Sequence, residues 1–496
     1  MLTGTCTRVQ AQIVLTPENT ALGGGGTAYL TGYEALFVNP ANLFVIENQN
    51  KFEIALAGFG TLTDPVLRER GFRDQVDNFT DLFTPFSPDV AFQGFTPAEQ
   101  FELIERNFPG NRTQSQHLFR FEAYWFGLKW NSENRSYALS LRSRAGGRFV
   151  NGRGYYSTQP VQIDNMEIFD RTLVSEYQTL HELSFGFAES FTLLNGLSPG
   201  INELIIGIAP KFVIGGSYQS VNYSNILTRE NGGPWNRTSS YIQQTTGDFS
   251  DASESFLATQ NPQQAIDQNL NFTDLFSPTG FGAGLDFGLT YLIPLGKEVS
   301  TLQRDISELR KSIRVSFSIT DIGFINYTDR TLTNRVEETE EVVGNTGDIA
   351  NSVFRGIPGQ FLPFLDESET VHPLLEAESN SDGFASIMPT AIHSGALFQF
   401  SRLKVMGDVS IGITNNAFNT TKFLSFIGAE IRPLKFLPLR AGTRLASEIN
   451  GFYSFGFGIE TQRFEFNTSV QLRSRSVGPT SEFSGISMGA LKFYLQ

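Results

Sequence analysis

Apolar residues occupy every second position over long stretches of the chain, most clearly toward its C-terminal end. Between residues 403 and 414 one face carries the apolar residues Leu403, Val405, Val409, Ile411 and Ile413. The other face carries the polar residues Lys404, Asp408, Ser410 and Thr414. Residues 437–445 and 464–473 repeat the pattern. A period of two over such lengths predicts β-strands with two unlike faces.

The same search over the whole chain predicts about fourteen strands. They cover residues 50–60, 117–131, 135–146, 180–191, 202–219, 281–293, 312–323, 389–400, 403–416, 421–432, 436–446, 452–462, 463–474 and 485–495. If the first strand runs outward, the long connections at 61–116, 147–179, 220–280 and 324–388 all fall on one side. Short turns fall on the other side, apart from residues 296–311. This sorting is typical of outer-membrane barrels, whereas a soluble β-sandwich has no reason for it.

Residues 50–496 are therefore predicted to form an all-β, transmembrane antiparallel β-barrel with long extracellular loops. The composition agrees, because 46 Phe and 14 Tyr accompany a mean hydropathy of only -0.15. Lipid-facing and lumen-facing residues alternate in such strands, so the average hydropathy stays low. The net charge of -14 argues against a nucleic-acid partner. Cys6 is the only cysteine, which excludes a disulfide framework, and we expect no cofactor.

The N-terminal part differs in character from the barrel strands. Residues 1–11 are interpreted as the remainder of a signal peptide, with a cleavage motif ending at Ala11. Residues 12–49 are predicted to form a plug in the lumen. Its motif residues are Gly23, Gly24, Gly25, Gly26, Asn39, Pro40 and Ala41. The glycines permit close backbone approach, and Asn39 before Pro40 suits the start of a short helix.

These residues resemble a known group. The glycine-rich stretch, residues 34–37 and residues 39–41 look like the N-terminal hatch of the FadL-like superfamily, which contains long-chain fatty-acid transporters and PorV-type barrels. Residues 282–289 and 318–325 resemble an uncharacterised Bacteroidota branch of it. The resemblance implies a plugged fourteen-stranded barrel. For the fatty-acid transporters it implies passage of hydrophobic molecules through the wall or the lumen.

Charged residues on the predicted strands are expected to face the lumen. An Arg or Lys facing lipid at mid-membrane costs about 2 to 4 kcal/mol. The residues concerned are Arg120, Glu122, Arg142, Glu182, Lys211, Asp286, Arg314, Asp408, Glu430, Arg440, Arg444, Glu465 and Arg473. Pairing with one another or with the plug is the favoured interpretation, and a polar permeation path is the alternative.

Three patterns are compatible with other chemistry. Residues 485–489 match the nucleophile elbow around Ser487, but they fall in a predicted strand rather than a strand–turn–helix unit. The histidines His117, His181, His372 and His393 show no metal-binding spacing. The acidic run Glu337, Glu338, Glu340 and Glu341 is interpreted as a solvated loop rather than a cation site. We expect no catalytic residue and no metal.

The strand pattern thus predicts a protein of the bacterial outer membrane, and the resemblance implies that it transports small hydrophobic compounds. The alternative is a non-transporting, PorV-like scaffold or shuttle for secreted or surface proteins. An outer-membrane hydrolase is the least favoured interpretation. The expected partners are outer-membrane lipids, hydrophobic small molecules and, through the loops, secreted or surface proteins.

Overall fold

The structure is a computed structural model. It describes residues 13–45, 52–64, 96, 98, 101, 104–105, 108, 110–132, 134–155, 157, 159–194, 201–259, 262–270, 276–295, 311–344, 378–446, 452–474 and 481–495. The predicted signal-peptide residues 1–11 lie outside these ranges. Among the described helices, none has the length and apolar character needed to cross a membrane.

The described strands form one sheet. Their bounds are β1 Phe52–Asp64, β2 Gln114–Ser132, β3 Arg135–Gly152, β4 Val161–Ile163, β5 Met166–Asp170, β6 Leu173–Leu194, β7 Ile201–Glu230, β8 Trp235–Thr246, β9 Gly280–Pro294, β10 Lys311–Tyr327, β11 Thr331–Gly344, β12 Glu378–Asn380, β13 Phe384–Ile387, β14 Ala391–Phe400, β15 Leu403–Gly412, β16 Leu424–Leu434, β17 Leu437–Ala446, β18 Phe452–Glu460, β19 Phe464–Ser474, β20 Ser481–Met488 and β21 Leu491–Leu495. The helices whose bounds lie within the described residues are α1 Pro17–Ala21, α2 Asp248–Thr259 and α3 Pro262–Asn269, with 3-10 helices at Gly32–Phe37, Pro40–Phe44 and Arg153–Tyr155.

Fourteen antiparallel strand positions close the sheet into a barrel. The order around the wall is β1, β2, β3, β6, β7, β9, β10 and then β14 to β19. β20 and β21 share the last position, and both pair with β1 to close the ring. Each predicted strand overlaps one of these positions, so the predicted barrel is confirmed.

The two faces of the wall differ in chemistry. The outer face is apolar, as shown by Phe281, Ile431 and Phe457, which are 56%, 52% and 54% exposed. The inner face carries buried polar and charged residues on the alternate positions. An apolar outer belt around a polar interior is the surface that a bilayer-spanning barrel requires.

The strands extend further than the sequence pattern predicts. β7 runs to Glu230 and pairs there with β8, whose other edge pairs with β11. These strands, together with α2 and α3, occupy ranges predicted as the loops 220–280 and 324–388. β4 and β5 likewise occupy part of 147–179. The alternation of apolar and polar residues does not predict β8, because this strand is largely polar on both faces, as expected for a strand outside the membrane. We call this end of the barrel the loop end and the opposite end the turn end.

Candidate functional site in the barrel lumen

The first described residues lie inside the barrel. Residues 13–45, here called the N-terminal segment, are buried at nearly every position. The 3-10 helix Pro40–Phe44 packs on β6, β7 and β9, and the 3-10 helix Gly32–Phe37 packs mainly on β2 and β3. Helix α1 packs on β18 and β19. The segment occupies the lumen toward the turn end.

The glycine-rich motif sits where side chains have no room. Gly23 and Gly24 adopt φ values of 90° and 106°, which disfavour other residues. A Cβ on Gly23 would lie 2.6 Å from the Thr443 carbonyl oxygen, and one on Gly25 would lie 2.8 Å from Asp408 Oδ2. The backbone N–H of Thr27 donates to the same Asp408 oxygen at 3.2 Å. The motif therefore brings backbone against the barrel wall.

Asn39 ties the second motif to both segment and wall. Its Oδ1 accepts from the Ala41 N–H at 3.1 Å and caps the helix Pro40–Phe44. Its Nδ2 donates to Thr27 O at 3.0 Å and to Thr290 Oγ1 at 2.9 Å. Wall residues Gly207 and Gly288 leave space here, because a Cβ on either would overlap residues 39–41.

Ion pairs near the turn end hold the N-terminal segment to the wall. Glu430 accepts from Arg440 at 2.8 Å and also bonds the Tyr29 hydroxyl. Lys492 Nζ lies 3.0 Å from Glu18, 3.2 Å from Glu34 and 2.8 Å from Glu465. Neither Lys492 nor Glu34 is among the residues predicted from the sequence to carry the site. In the sequence, Lys492 could be noticed because it occupies an inward-facing position of the short strand β21. Glu34 could be noticed because it lies in the hatch-like residues 34–37.

A second set of ion pairs crosses the lumen between β3, β6, β7, β9 and β10. This charge layer consists of Arg142, Arg144, Glu182, Lys211, Asp286 and Asp321, whose side chains are at most 1% exposed. Arg142 Nη2 lies 2.6 Å from Glu182, and Arg144, which also pairs with Glu182, lies 3.0 Å from Asp321. Lys211 Nζ lies 2.7 Å from Asp286 and 2.5 Å from Asp321.

Two members of the charge layer were missed from the sequence. Arg144 shares the inward parity of Arg142 on the same predicted strand, so the signal was present. Asp321 has φ 56° and lies in a β-bulge where the register against β9 shifts between Ile319 and Ile322. The extra residue of the bulge exchanges inward-facing and outward-facing positions beyond it. A two-residue period therefore does not predict that Asp321 faces inward.

Apolar side chains fill the lumen on the loop-end side of the charge layer. We call them the outer apolar cluster: Leu180, Val213, Ile325, Tyr327, Met388, Ala417 and Phe418, with Tyr218 and Phe384 packed against it. The rings of Tyr218, Tyr327 and Phe384 lie 5.0 to 5.4 Å apart. Strand periodicity does not predict this cluster, because Ala417 and Phe418 come from the connection between β15 and β16.

That connection folds inward. Asn416 Oδ1 accepts the N–H groups of Phe418 at 2.9 Å and Asn419 at 2.8 Å, which shapes the turn. Phe418 then reaches Gly146 on β3, where a Cβ would lie 2.7 Å from its ring. The Arg144 guanidinium carbon lies 5.1 Å from the centre of the same ring.

The other predicted charges are distributed around the inner wall. Arg120, Glu122, Arg314 and Arg444 are buried, and the Arg444 guanidinium carbon stacks 3.8 Å above the Phe452 ring. Glu122 accepts from the backbone N–H of Leu15 at 3.2 Å and lies 3.7 Å from Arg142. The side chain of Arg473 lies outside the described residues.

The residues with alternative chemistry occupy structural positions. Ser487 lies in β20 and hydrogen-bonds Thr20 across 3.0 Å, so residues 485–489 do not form a strand–turn–helix elbow. Glu340 and its acidic neighbours lie in β11 rather than in a loop, which corrects that prediction. Among the described residues, no group of three or more metal-ligating side chains is assembled.

The histidines are dispersed over the barrel. His181 Nδ1 lies 2.7 Å from Ser143 Oγ, and its Nε2 lies 3.0 Å from the Phe276 carbonyl oxygen. Neither contact is to a carboxylate. His393 is buried between Thr320 and Ser410 at 3.1 and 2.9 Å. His372 and the side chain of His117 lie outside the described residues.

Comparisons with known proteins give one family and a set of solved barrels. The profile of DUF5723, a family of unknown function, matches residues 80–470. Similar solved structures include the toluene transporter TbuX of Ralstonia pickettii, with 12% identity, TM-score 0.40 and coverage of 97% of this chain and 98% of that chain. The toluene transporter TodX of Pseudomonas putida has 12% identity, TM-score 0.42 and coverage of 98% and 99%.

A FadL homologue of Pseudomonas aeruginosa has 11% identity, TM-score 0.39 and coverage of 97% and 98%. No curated protein matches the chain.

Proposed function

The chain belongs to DUF5723, a family of unknown function, and we propose that it is an outer-membrane barrel that transports small hydrophobic compounds. In this proposal the loop end faces the cell exterior and the turn end faces the periplasm. Residues 12–49 act as the plug that a compound must pass.

The observation that carries the proposal is the outer apolar cluster inside the lumen. Lumens of outer-membrane barrels are polar as a rule, so inward-facing Leu180, Val213 and Met388 call for a reason. All three side chains are fully buried, and aromatic rings pack beside them. An apolar guest that separates these side chains would find dispersion contacts and few competing hydrogen bonds. The cluster therefore suits the capture of hydrophobic compounds.

The N-terminal segment supports a gated rather than an open route. It is held by separate polar contacts, among them Lys492 with Glu18 and Asn39 with Thr290. Each contact is local, so part of the segment can release while the rest stays anchored. A wide water-filled pore would instead suit polar solutes.

Uptake by whole cells tests the proposal. Cells that produce the full chain are mixed with N-phenyl-1-naphthylamine, an uncharged fluorophore that brightens in lipid, and the rate of brightening is recorded. Replacing one apolar contact by a polar one, as in Val213→Thr, costs about 1 kcal/mol of guest binding. We expect uptake to slow by about fivefold.

The matched control is Val315→Thr, which makes the same change on the lipid-facing side of β10, where Val315 is 48% exposed. This variant should transport like the unsubstituted chain. Equal rates for cells with and without the barrel would refute the proposal.

A second candidate is the scaffold or shuttle for secreted or surface proteins. It is favoured by the ordered structure beyond the membrane, where β7, β8 and β11 continue and α2 packs on β7 and β8. A scaffold predicts no fluorophore uptake and a stable complex with an exported protein. Deletion of β8, α2 and α3 would then remove that complex and leave the barrel folded.

A further inference from the structure

We propose that the lumen selects uncharged hydrophobic compounds over carboxylates of the same chain length, because the charge layer beneath the outer apolar cluster is already internally neutralised. This inference rests on the proposed function and specifies its substrate class. The residues that set the selectivity are Glu182, Asp286 and Asp321.

The charge layer borders the outer apolar cluster directly. On β6 the inward-facing Leu180 is followed by Glu182, two residues further from the loop end. On β7 the same step separates Val213 from Lys211. Two residues along a strand span about 7 Å. A guest among the apolar side chains therefore meets the charge layer with its inner end.

Each cation of the layer has two carboxylate partners. Lys211 contacts Asp286 and Asp321, and Arg144 contacts Glu182 and Asp321. Arg142 contacts Glu182 at 2.6 Å and Glu122 at 3.7 Å. The three cations thus face four carboxylates, which are the three of the charge layer and Glu122 beside it. No cation in this set is left to receive an additional anion.

A carboxylate guest would have to displace one of these partners. It would lose its hydration and lie beside Glu182 or Asp321, whose like charge repels it. An alcohol or a hydrocarbon avoids both costs, since it carries no charge. The aromatic face of Phe418, which lies over Arg144, separates an apolar guest further from the charges.

Competition between two matched compounds tests the inference on the full chain in lipid nanodiscs. N-phenyl-1-naphthylamine is bound first, and 1-octanol or octanoate is added at pH 8, where the octanoate carboxyl is ionised. Empty nanodiscs correct for partitioning into lipid. We expect octanol to displace the fluorophore at a concentration at least about tenfold lower than octanoate does.

Equal displacement by the two compounds would overturn the inference and leave the proposed function standing. Displacement by neither compound would overturn the proposed function and the inference together. The two failures are therefore distinguishable without any substitution.

Glu182→Gln tests the assignment to the charge layer. The change removes a shared partner of Arg142 and Arg144, so octanoate should gain on octanol by about tenfold. Asp286→Asn should act in the same direction through Lys211 and serves where Glu182→Gln does not fold. The control is Glu189→Gln at the turn end, where Glu189 pairs with the exposed Arg135. An unchanged ratio of octanol to octanoate in a folded Glu182→Gln or Asp286→Asn barrel would overturn the assignment.

Discussion

Replacement of Lys211 by methionine removes the cation that joins two carboxylates in the middle of the barrel. Lys211 Nζ lies 2.7 Å from Asp286 and 2.5 Å from Asp321, and all three side chains are fully buried. Methionine keeps most of the side-chain volume and removes the charge. Asp321 retains Arg144, whereas within the described part of the chain Asp286 retains the backbone N–H of Asp321, at 2.6 Å, as its hydrogen-bond partner.

The expected cost follows from the buried charge that is left behind. Breaking a buried ion pair by removing one partner costs about 3 to 5 kcal/mol. The free energy of unfolding is measured by urea titration in lipid vesicles, followed by the fluorescence of the three tryptophans. Lys435→Met provides the control, because Lys435 is exposed in the turn between β16 and β17. It should lie within about 0.5 kcal/mol of the unsubstituted barrel.

A double substitution isolates the pair. Asp286→Asn keeps the Oδ1 acceptor for the Asp321 N–H and removes the uncompensated charge. Lys211→Met with Asp286→Asn should therefore be more stable than Lys211→Met alone by at least about 1 kcal/mol. A Lys211→Met barrel as stable as the Lys435→Met control would refute the reasoning that the layer is a dry, mutually neutralised network.

Three further substitutions test other parts of the structure. Gly207→Ala places a Cβ against Ala41 and should cost about 1 to 3 kcal/mol, whereas Gly407→Ala, where the nearest atom is 4.0 Å away, should cost little in the same titration. Asn39→Ala removes the helix cap and should cost about 1 to 2 kcal/mol; faster protease cleavage within residues 13–45 would register it, and unchanged cleavage would count against the capping role. Burial raises the pKa of Asp170, which lies outside the membrane, above its ordinary 3.8. The stability that Asp170 contributes is therefore fully present below pH 3.8 and is lost as the pH rises through the raised pKa of the folded state. Hydrogen exchange of residues 161–170, corrected for intrinsic rates, should show greater protection at the lower pH, and Asp170→Asn should flatten the dependence; an equal dependence in both would contradict the assignment.

The barrel was predictable because its strands keep a two-residue period over most of their length. Asp408 and Arg440 carry charge on one face while their neighbours Val409 and Leu439 are apolar, and the cost of charge in lipid fixes which face is inner. The cost of charge in lipid does not apply to strands that lie beyond the membrane. β8 needs no apolar face toward lipid, so its residues give no alternation.

The lumen was predictable only in part, for reasons that lie in particular residues. Arg142 and Asp286 follow strand parity, but the partners that satisfy them depend on register and tilt across several strands. Asp321 is hidden by its bulge. Phe418 is one of two aromatic residues, with Phe423, in a largely polar connection, and nothing local indicates that the connection folds inward over Gly146.

The most direct test of the account locates a hydrophobic compound in the barrel. Crystals of the full chain are soaked with bromobenzene, and anomalous scattering from bromine marks its position. We expect a bromine peak inside the lumen among Leu180, Val213 and Phe418, and a weaker peak in Val213→Thr crystals. Peaks confined to the lipid-facing wall, with none in the lumen at saturating bromobenzene, would contradict it.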